Sequence, residues 1–309
     1  MQPLSPLAAR LPADDQEPAP ASTSRHSVWR RLRKDRLALA GAAIILAFAA
    51  MAVAAPHLAP YDPTQRFVNG ISDQGAPLPP GTAGFLLGTD TIGHDVLSRL
   101  IWGARVSLFV GVLANAIAVL IGVALGAAAG YYGGLVSSII MRFTDIMLAF
   151  PVLLLGVALV AVLTPGIPVI IAVIGLVSWT SMARIIHGQV LALRERDFVE
   201  AARATGVGST RILLRHILPH LVSPIVVYSS LGVATAVLFE ASLSFLGLGI
   251  QPPEPSWGRM VSEGAAVQGA SGFAYPWLLL FPGAAVFLTV LAFNLLGDGL
   301  RDALDPTSR

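Results

Sequence analysis

The sequence predicts an all-α polytopic membrane protein with six transmembrane helices. Of its 309 residues, 55% are hydrophobic and 12% are charged, which is about half the charged share of an ordinary soluble domain. Uncharged apolar runs recur along the chain at roughly the 20 residues that a helix needs to cross a bilayer. Arginines cluster between these runs, a pattern typical of the cytoplasmic loops of membrane proteins.

Composition also excludes several kinds of chemistry. The chain has no cysteine, which excludes disulfides, thiolate metal sites and a cysteine nucleophile. Its single lysine, Lys34, does not follow a glycine-rich loop, so no P-loop is present. His216 and His220 are separated by Pro219 and lack the glutamate of a zinc-protease helix, and no serine-nucleophile elbow occurs. We therefore predict no catalytic residue, no metal site and no cofactor in this chain.

The first 36 residues are predicted to form a cytoplasmic tail. Residues 1–27 are rich in proline, alanine, serine and acids without an apolar period, which is typical of disorder. The basic cluster at 29–36 directly precedes span 1 at 37–59, and we interpret it as a topology signal and not as a nucleic-acid patch. A signal peptide cleaved at 52–54 is the alternative for span 1, but the polar leader is long for one. We interpret span 1 as an uncleaved anchor.

Residues 60–104 are predicted to form an extracytoplasmic loop. The segment is rich in proline and glycine, and we expect it to lack a core of its own. Near its end, four residues fit an interfacial amphipathic helix: Asp95, Ser98, Arg99 and Trp102. For His94 with Asp90 and Asp95 we favour a solvated loop face, with a metal site as the alternative.

Five further spans are predicted in the core of the chain, residues 105–300. Spans 2 to 6 are placed at 106–130, 141–164, 167–186, 221–248 and 277–297, followed by a cytoplasmic tail at 301–309. Pro151 interrupts span 3. Span 2 carries Gly122, Gly126 and Gly130 at four-residue spacing, which permits close backbone packing in lipid. We expect a tight contact within the chain, with a dimer seam as the alternative.

Glu240, Asn115 and Asn294 are polar residues within apolar spans that we consider as candidates for function. Glu240 is an acid inside span 5, and an intramembrane carboxylate is a functional candidate by default, because it can bind substrate or carry protons. A structural, hydrogen-bonded role is the alternative for Glu240. Asn115 and Asn294 are expected to be interhelical hydrogen-bond partners in preference to substrate ligands on the path.

A polar segment at 197–220 separates spans 4 and 5. Asp197 can cap a short helix with Glu200 in the capping-box position. Gly206 is a natural stop because glycine reaches left-handed geometry without a Cβ penalty. Ser209 can cap a second helix that ends against Pro219. The pattern therefore predicts a short helix, a glycine hinge and another helix, with alanines open to close approach by another protein.

This segment resembles the cytoplasmic coupling loop of ABC-importer permeases of the dipeptide, oligopeptide and nickel class. The family pattern is Glu-Ala-Ala, three residues, Gly, nine residues, Ile, one residue, Leu-Pro, and the chain departs from it only in having His216 at the Ile position. Segments 88–105 and 240–249 also look like that family, in which Arg usually stands at position 94. The resemblance implies docking to a cytoplasmic ATPase by Phe198, Glu200, Ala201, Ala202, Arg203, Thr205, Gly206, Leu218 and Pro219.

The resemblance implies an ATP-driven importer. Its expected partners are a second permease in a heterodimer, two ATPases that bind ATP and Mg²⁺, and an extracytoplasmic solute-binding protein. The expected cargo is di- or oligopeptides, with nickel or another small solute as the alternative. An ion-coupled secondary transporter using Glu240 is a rival class, although the broken-helix repeats of such transporters are not visible. The missing catalytic set argues against an intramembrane enzyme.

The basic residues orient the predicted spans. Sixteen of the twenty lysines and arginines fall on the segments assigned to the inside; the others are Arg66, Arg99, Arg105 and Arg259. This positive-inside bias predicts that both termini and the coupling loop are cytoplasmic, in a bacterial inner membrane.

Overall fold

The computed structural model describes residues 30–164, 166–271 and 273–304, so the tail predicted to be disordered at 1–27 lies outside the described residues. The main helices are α1 (Arg36–Leu58), α2 (Val96–Tyr132), α3 (Gly134–Ala149), α4 (Val152–Val162), α5 (Ile167–Arg194), α6 (Asp197–Ala204), α7 (Ser209–Ile212), α8 (Val222–Phe245), α9 (Trp257–Ser271) and α10 (Trp277–Leu304). Apart from isolated bridges, these residues contain no β-structure.

Several of these helices are long and apolar enough to cross a membrane. In the described chain they are five: α1, α2, α5, the continuous stretch from α7 through α8, and α10. The bent pair of α3 and α4 makes a sixth when it is counted as one span. The prediction of an all-α polytopic membrane protein is confirmed.

The bent pair turns through 88° between α3 and α4. Pro151 causes the break, since proline disfavours helical geometry at the residue before it, and Phe150 is accordingly extended, with φ −89° and ψ 137°. Arg194, at the end of α5, donates hydrogen bonds to the carbonyls of Gly130 and Tyr131, at the end of α2. α5 therefore begins at the other end of the bundle from α3, and the bent pair carries the chain between the two ends as one span does.

The bundle thus has two distinct ends. We call the end that holds α6 the α6 end, and the end that holds α9 the α9 end. The most extensive helix pairing in the described chain joins α2 to α5, and α8 packs against both of them. One apolar cluster fills the space between these three helices, around Val110, Ile174 and Phe239. A second cluster lies at the α6 end around Ile186, Val199 and Ile217.

Helix α2 begins earlier than the predicted start of span 2. It has 37 residues and is about 55 Å long, against about 30 Å for the hydrocarbon core of a bilayer. The interfacial helix predicted around Asp95 and Trp102 is corrected, because these residues cap and begin α2 itself. The carboxylate of Asp95 accepts hydrogen bonds from the N–H and hydroxyl of Ser98 at 2.7 and 2.6 Å. Ser98 and Arg99 are buried within the protein and do not face a headgroup layer.

Residues 59–95 have a small core, so the expectation of a loop without one is corrected. The rings of Tyr61, Phe67 and Phe85 pack together with centroids 4.8 to 5.8 Å apart, and Phe85 is 2% exposed. The hydroxyl of Thr89 donates to the Gly70 carbonyl at 2.6 Å. The aromatic residues are far apart in the sequence and show no strand or helix period, which is why their cluster was not predicted.

The acids before α2 do not form the solvated face that we favoured. Asp90 and Asp95 are buried, and Asp90 pairs with His94 and Arg99. Nor does the described chain contain a group of three or more histidine, aspartate or glutamate side chains placed to hold a metal ion. These residues therefore form a structural ion-pair network where the loop meets α2.

The caps predicted for the coupling segment are each shifted by one residue. Arg196 stands at the cap position of α6, and its carbonyl accepts hydrogen bonds from the N–H groups of Val199 and Glu200. Asp197 is the first helical residue, where its negative charge interacts favourably with the positive end of the helix dipole. Likewise Gly208 precedes α7, and Ser209 is its first residue.

Pro219 does not end the second helix, as predicted, but changes its pitch. Proline lacks an N–H and crowds the carbonyl four residues earlier, which strains the interior of an α-helix. The chain responds with a π turn at Leu213–Ile217 and a 3₁₀ turn at Leu218–Leu221 before α8 begins. The result is a helical rod from Ser209 to Phe245.

Candidate coupling and translocation sites

Helix α6 has one face inside the protein and one face outside. Val199 and Ala202 are 0% and 8% exposed, and both join the apolar cluster at the α6 end. The side chains of Glu200 and Ala201 are exposed on the other face, and that of Arg203 is exposed at its edge, beside Tyr131. A helix of eight residues is too short to be stable alone, so its apolar seat is what holds it in place. The predicted alanine face is therefore divided, with Ala201 outside and Ala202 inside.

Gly206 ends α6 in a Schellman motif. Its φ is +76°, the left-handed region that favours glycine. Its N–H donates to the Arg203 carbonyl at 2.9 Å, and the N–H of Val207 donates to the Ala202 carbonyl at 3.1 Å. Val207 packs on the same apolar cluster as Ala202, the contact that usually accompanies this motif. The stop after α6 is thus fixed by both backbone geometry and packing.

The remaining coupling residues surround α6 at its edge. The Phe198 ring, 37% exposed, lies 5.1 Å from the His220 ring. The Thr205 hydroxyl donates to the Ala202 carbonyl at 3.0 Å. Leu218 is half-buried and Pro219 is exposed in the turn before α8. The structure therefore brings all of the predicted coupling residues to the α6 end.

Two arginines tie α6 and α5 to the end of α2. The guanidinium of Arg203 lies 5.8 Å from the centre of the Tyr131 ring, within the range of a cation–π contact. Arg194 donates to the last carbonyls of α2, groups that have no partner inside the helix. Both α6 and the end of α5 are consequently held against the end of α2.

The three glycines of α2 lie along α5. A Cβ on Gly122 would stand 2.7 Å from the Trp179 carbonyl oxygen, and one on Gly130 would stand 2.8 Å from the His187 carbonyl oxygen. Gly126 meets the backbone of Ala183 in the same way. Real Cβ atoms are not found so close to other atoms, so the absence of side chains is what allows these two helices to touch along three turns.

A cleft of about 230 Å³ opens between α2, α4, α5 and α8. Its polar side chains are neutral: Asn115, Ser178, Thr180, Ser181, Tyr228 and Thr235. The amide of Asn115 donates to the Ser229 carbonyl of α8 at 2.9 Å, so Asn115 both joins two helices and lines the cleft. Asn294 is half-buried on α10 and does not line it. The two asparagines are thus in different environments.

Glu240 lies apart from the cleft and is 0% exposed. One carboxylate oxygen accepts hydrogen bonds from the hydroxyls of Ser244 at 2.7 Å and Ser256 at 3.0 Å. The other accepts from Ser107 of α2 at 3.3 Å, and the Ser107 oxygen in turn accepts the N–H of Trp257 at 3.1 Å. Glu240 therefore joins α2, α8 and the start of α9.

Comparison with known proteins identifies the family. Residues 122–309 match the family described as binding-protein-dependent transport system inner membrane component, and residues 24–80 match the N-terminal TM domain of oligopeptide transport permease C. The chain belongs to this family of permeases. Its recognition as an ABC-importer permease of the peptide/oligopeptide family is confirmed.

The similar proteins are named as components of transport systems. The glutathione transport system permease protein GsiD of Escherichia coli O6:K15:H31 is 43% identical over 290 residues, covering 94% of this chain and 93% of that protein, and GsiD of Shigella boydii gives the same values. An inward-facing structure of the MetNI methionine ABC transporter is 17% identical, with a TM-score of 0.54, and covers 67% of this chain and 97% of the solved chain. The MetNI likeness shows the fold alone.

Family membership decides between the predicted classes. The chain is a non-catalytic permease subunit and a multi-pass inner-membrane protein. A binding-protein-dependent transport system implies ATPase subunits, a substrate-binding protein and a second permease as partners. The rival interpretations as an ion-coupled secondary transporter or as an intramembrane enzyme are excluded.

Sequence reasoning missed the partners of Glu240 and most of the cleft. Ser107 and Ser256 lie 133 and 16 positions from Glu240, and serine is too common in spans and loops to stand out. Tyr228, which lines the cleft, reads as an ordinary interfacial aromatic residue near the start of a span. Only the pairing of helices brings these residues together.

Proposed function

We propose that this permease, paired with a second and different permease subunit, forms the translocation path for short peptides, glutathione among them, and that α6 couples this path to a cytoplasmic ATPase. The observation that carries the proposal is the division of α6 into an apolar face seated in the protein and an exposed face of Glu200 and Ala201, with Arg203 exposed at its edge. Such a helix is rigidly held by the permease and still accessible to a partner.

The exposed face of α6 suits docking into a groove. Ala201 lets a partner approach the helix backbone, while Glu200 and Arg203 supply charged contacts at the rim. Because Val199 and Ala202 anchor the helix in the second apolar cluster, a push on α6 moves the span ends as a rigid body. No covalent step in this chain is needed for that motion.

The cleft continues toward the α6 end. A second cleft of about 340 Å³ shares Tyr228 and Leu231 with the first, and runs past Gln189 to Asp298 and Arg301 on α10. The two clefts together make a groove along α8. We assign this groove to one wall of the path, with the other wall supplied by the second permease.

The lining of the first cleft favours a peptide cargo over a bare metal ion. Its amide and hydroxyl groups can exchange hydrogen bonds with peptide amides. The residues lining both clefts include no histidine and one carboxylate, Asp298 in the second cleft, so they do not supply the set of ligands that suits nickel in this cysteine-free chain. The E. coli relative is named as a glutathione transport permease, and glutathione is itself a tripeptide. Uptake of labelled glutathione and of a dipeptide by proteoliposomes holding the complete importer tests this choice. Uptake of nickel alone would overturn it.

In the orientation that we propose, α6 and both termini are cytoplasmic. Sixteen of the twenty lysines and arginines belong to segments on that side, as the positive-inside rule requires. Cysteines introduced singly at Thr205 and at Val68, both exposed, provide a test in this cysteine-free chain. An impermeant maleimide added to spheroplasts should label Val68→Cys and leave Thr205→Cys unlabelled; the reverse pattern would reject the orientation.

Crosslinking tests the coupling role directly. A cysteine at Ala201 should crosslink to cysteines in the surface groove of the co-expressed ATPase and change its yield with nucleotide state. A cysteine at the adjacent Ala202 is the matched control, because that side chain is 8% exposed and faces the permease interior. Equal crosslinking at both positions, or none at Ala201 in an assembled complex, would contradict the proposed docking face.

A further inference from the structure

Helix α9 lies across the α9 end of the bundle and is fastened there by charged groups. It has 15 residues, too few to span a bilayer. Trp257 at its start is 0% exposed, and Met260 is 5% exposed. α9 packs between α8, α10 and the first turns of α2. Its position is therefore set by what holds it to those helices.

The first fastening is the Glu240 cluster. Ser256, the residue before α9, donates to the Glu240 carboxylate and accepts the N–H of Arg259, so it caps α9 while being held by α8. The N–H of Trp257 donates to Ser107, which donates to the same carboxylate. One buried carboxylate thus joins α8, α2 and the first turn of α9.

The second fastening is an ion-pair network around Arg99 of α2. Its guanidinium is buried and pairs with Asp90 and, at 2.8 Å, with Glu263 of α9. Glu263 also accepts from Arg259 at 2.7 Å. The indole N–H of Trp257 donates to the Leu100 carbonyl at 2.9 Å. α9 is thereby held to the beginning of α2 at two levels.

The hydrogen bonds and ion pairs that hold α9 depend on direction, whereas apolar packing does not. Replacing a buried ion pair by well-packed apolar residues is often neutral or stabilising, so a buried charge is weak evidence for a role in stability. Hydrogen bonds and ion pairs fix orientation, because they weaken steeply when their geometry changes. The groups that hold α9 therefore fix its orientation as well as contributing to folding stability.

The rod that carries Glu240 reaches the other end of the bundle. From Ser209 to Phe245 the chain is one helical stretch, and Ser209 stands shortly after the Gly206 turn that ends α6. A displacement of α6 and α7 is thus applied to one end of this rod, and Glu240 lies near its other end.

We propose that Glu240 and Arg99 are positioning residues that make α9 move as one body with α8 and α2, so that ATPase-driven displacement of α6 reaches the α9 end. The proposal rests on the proposed coupling function of α6. α9 then serves as the moving element on the side opposite the ATPase, where the binding protein delivers substrate.

A distance measurement tests the single-body claim. Spin labels on cysteines at Ala266 of α9 and Leu238 of α8, both exposed, are measured in the complete importer with and without trapped ATP. We expect a narrow distance distribution that does not shift between the two states. Introducing Ser256→Ala with Glu263→Gln should broaden it. A shift between states in the parent protein would overturn the proposal.

Transport coupling gives the second readout. Uptake and ATP hydrolysis are measured in the same proteoliposomes for Glu240→Leu, Glu240→Gln and Arg99→Leu. We expect uptake in the leucine variants to fall about tenfold while hydrolysis changes by less than about twofold, with Glu240→Gln partly restored because its carbonyl still accepts hydrogen bonds. Uptake and hydrolysis falling in proportion, with the complex intact, would indicate a merely structural role and reject the proposal.

Two controls separate the possible failures. Thr289→Val removes a buried hydroxyl that has no hydrogen-bond partner in the described structure, and it should leave the ratio of uptake to hydrolysis unchanged. The Ala201→Cys crosslink to the ATPase is recorded in the same samples. If that crosslink is absent, the proposed function fails; if it is present while α9 moves independently of α8, only the single-body inference fails.

Discussion

Gly122 of α2 and Met182 of α5 approach so closely that a Cβ on the glycine would stand 2.6 Å from the Cβ of the methionine. The same contact recurs one and two turns further along, at Gly126 and Gly130. Interfaces between spans depend on such close packing, because apolar burial does not drive helices together in lipid. The α2–α5 pair is therefore sensitive to added volume along its whole contact.

We expect Gly126→Ala to destabilise the permease by about 1–3 kcal/mol, the usual cost of overpacking. The new methyl group would meet backbone atoms of Ala183, which cannot rotate away. The midpoint of thermal unfolding in detergent, followed by tryptophan fluorescence, measures the effect. Gly188→Ala is the matched control, since nothing lies within 4 Å of the Cβ position at Gly188 on α5. Equal midpoints for the two variants would contradict the tight α2–α5 contact.

The backbone at Gly206 gives a prediction about coupling. With φ at +76°, a Cβ there costs about 1–2 kcal/mol, so Gly206→Ala should loosen the end of α6 and lower substrate uptake. Gly208→Ala is the control, because Gly208 has φ −64° and open space around its Cβ position. Uptake by the assembled importer distinguishes them. A Gly208 variant as impaired as the Gly206 variant would show that the turn geometry is not what matters.

The sequence predicts correctly those features that depend on residues close together in the chain. Gly206 as a stop, Pro151 as an interruption and the glycine spacing of α2 each depend on a few consecutive positions. The caps at Asp197 and Ser209 were placed one residue late because several polar residues lie at each start. Pro219 was expected to end a helix, but the π turn before it relieves the clash, and a sequence does not reveal such a compensation.

Long-range contacts account for what the sequence could not predict. The acid at Glu240 stands out in the sequence, yet its role depends on Ser107 and on a loop that returns to it after α8. Likewise Asp90 and Arg99 are ordinary loop charges until Glu263 of α9 is brought beside them. Ala201 is exposed and Ala202 is buried because of how α6 packs on the bundle. Two adjacent alanines look equivalent in the sequence, so this difference could not be predicted.

The ion pair between Asp90 and Arg99 at the α9 end should be sensitive to acid. Burial alone would raise its pKa, but the hydrogen bonds from His94 and the charge of Arg99 together hold the pKa below its ordinary value of 3.8. A carboxyl group with a depressed pKa contributes its full stabilisation above the unfolded value, and the contribution is lost as the pH falls through the folded value. The ionised form of Asp90 therefore stabilises the fold at neutral pH and ceases to do so only in strong acid.

We expect Asp90→Asn to lower the unfolding midpoint at pH 7, and the difference from the unmodified protein should begin to shrink below about pH 4. Comparing the two proteins at each pH separates the contribution of Asp90 from the other effects of acid on the permease. Unfolding midpoints in detergent from pH 7 to pH 3 give the comparison. A difference that grows on acidification would have the wrong sign for this ion pair.

The two asparagines within spans provide the last prediction. Asn115 lines the cleft and donates to the Ser229 carbonyl, whereas Asn294 lies on α10 away from it. Losing one interhelical hydrogen bond in a membrane costs about 0.6 kcal/mol on average. The midpoint of thermal unfolding of Asn115→Leu should therefore be only slightly lower than that of the unmodified protein. Its uptake of peptide should nevertheless fall, because an apolar group replaces a polar one on the path. Asn294→Leu should leave uptake unchanged, and an equal loss in both variants would argue against a path along α8.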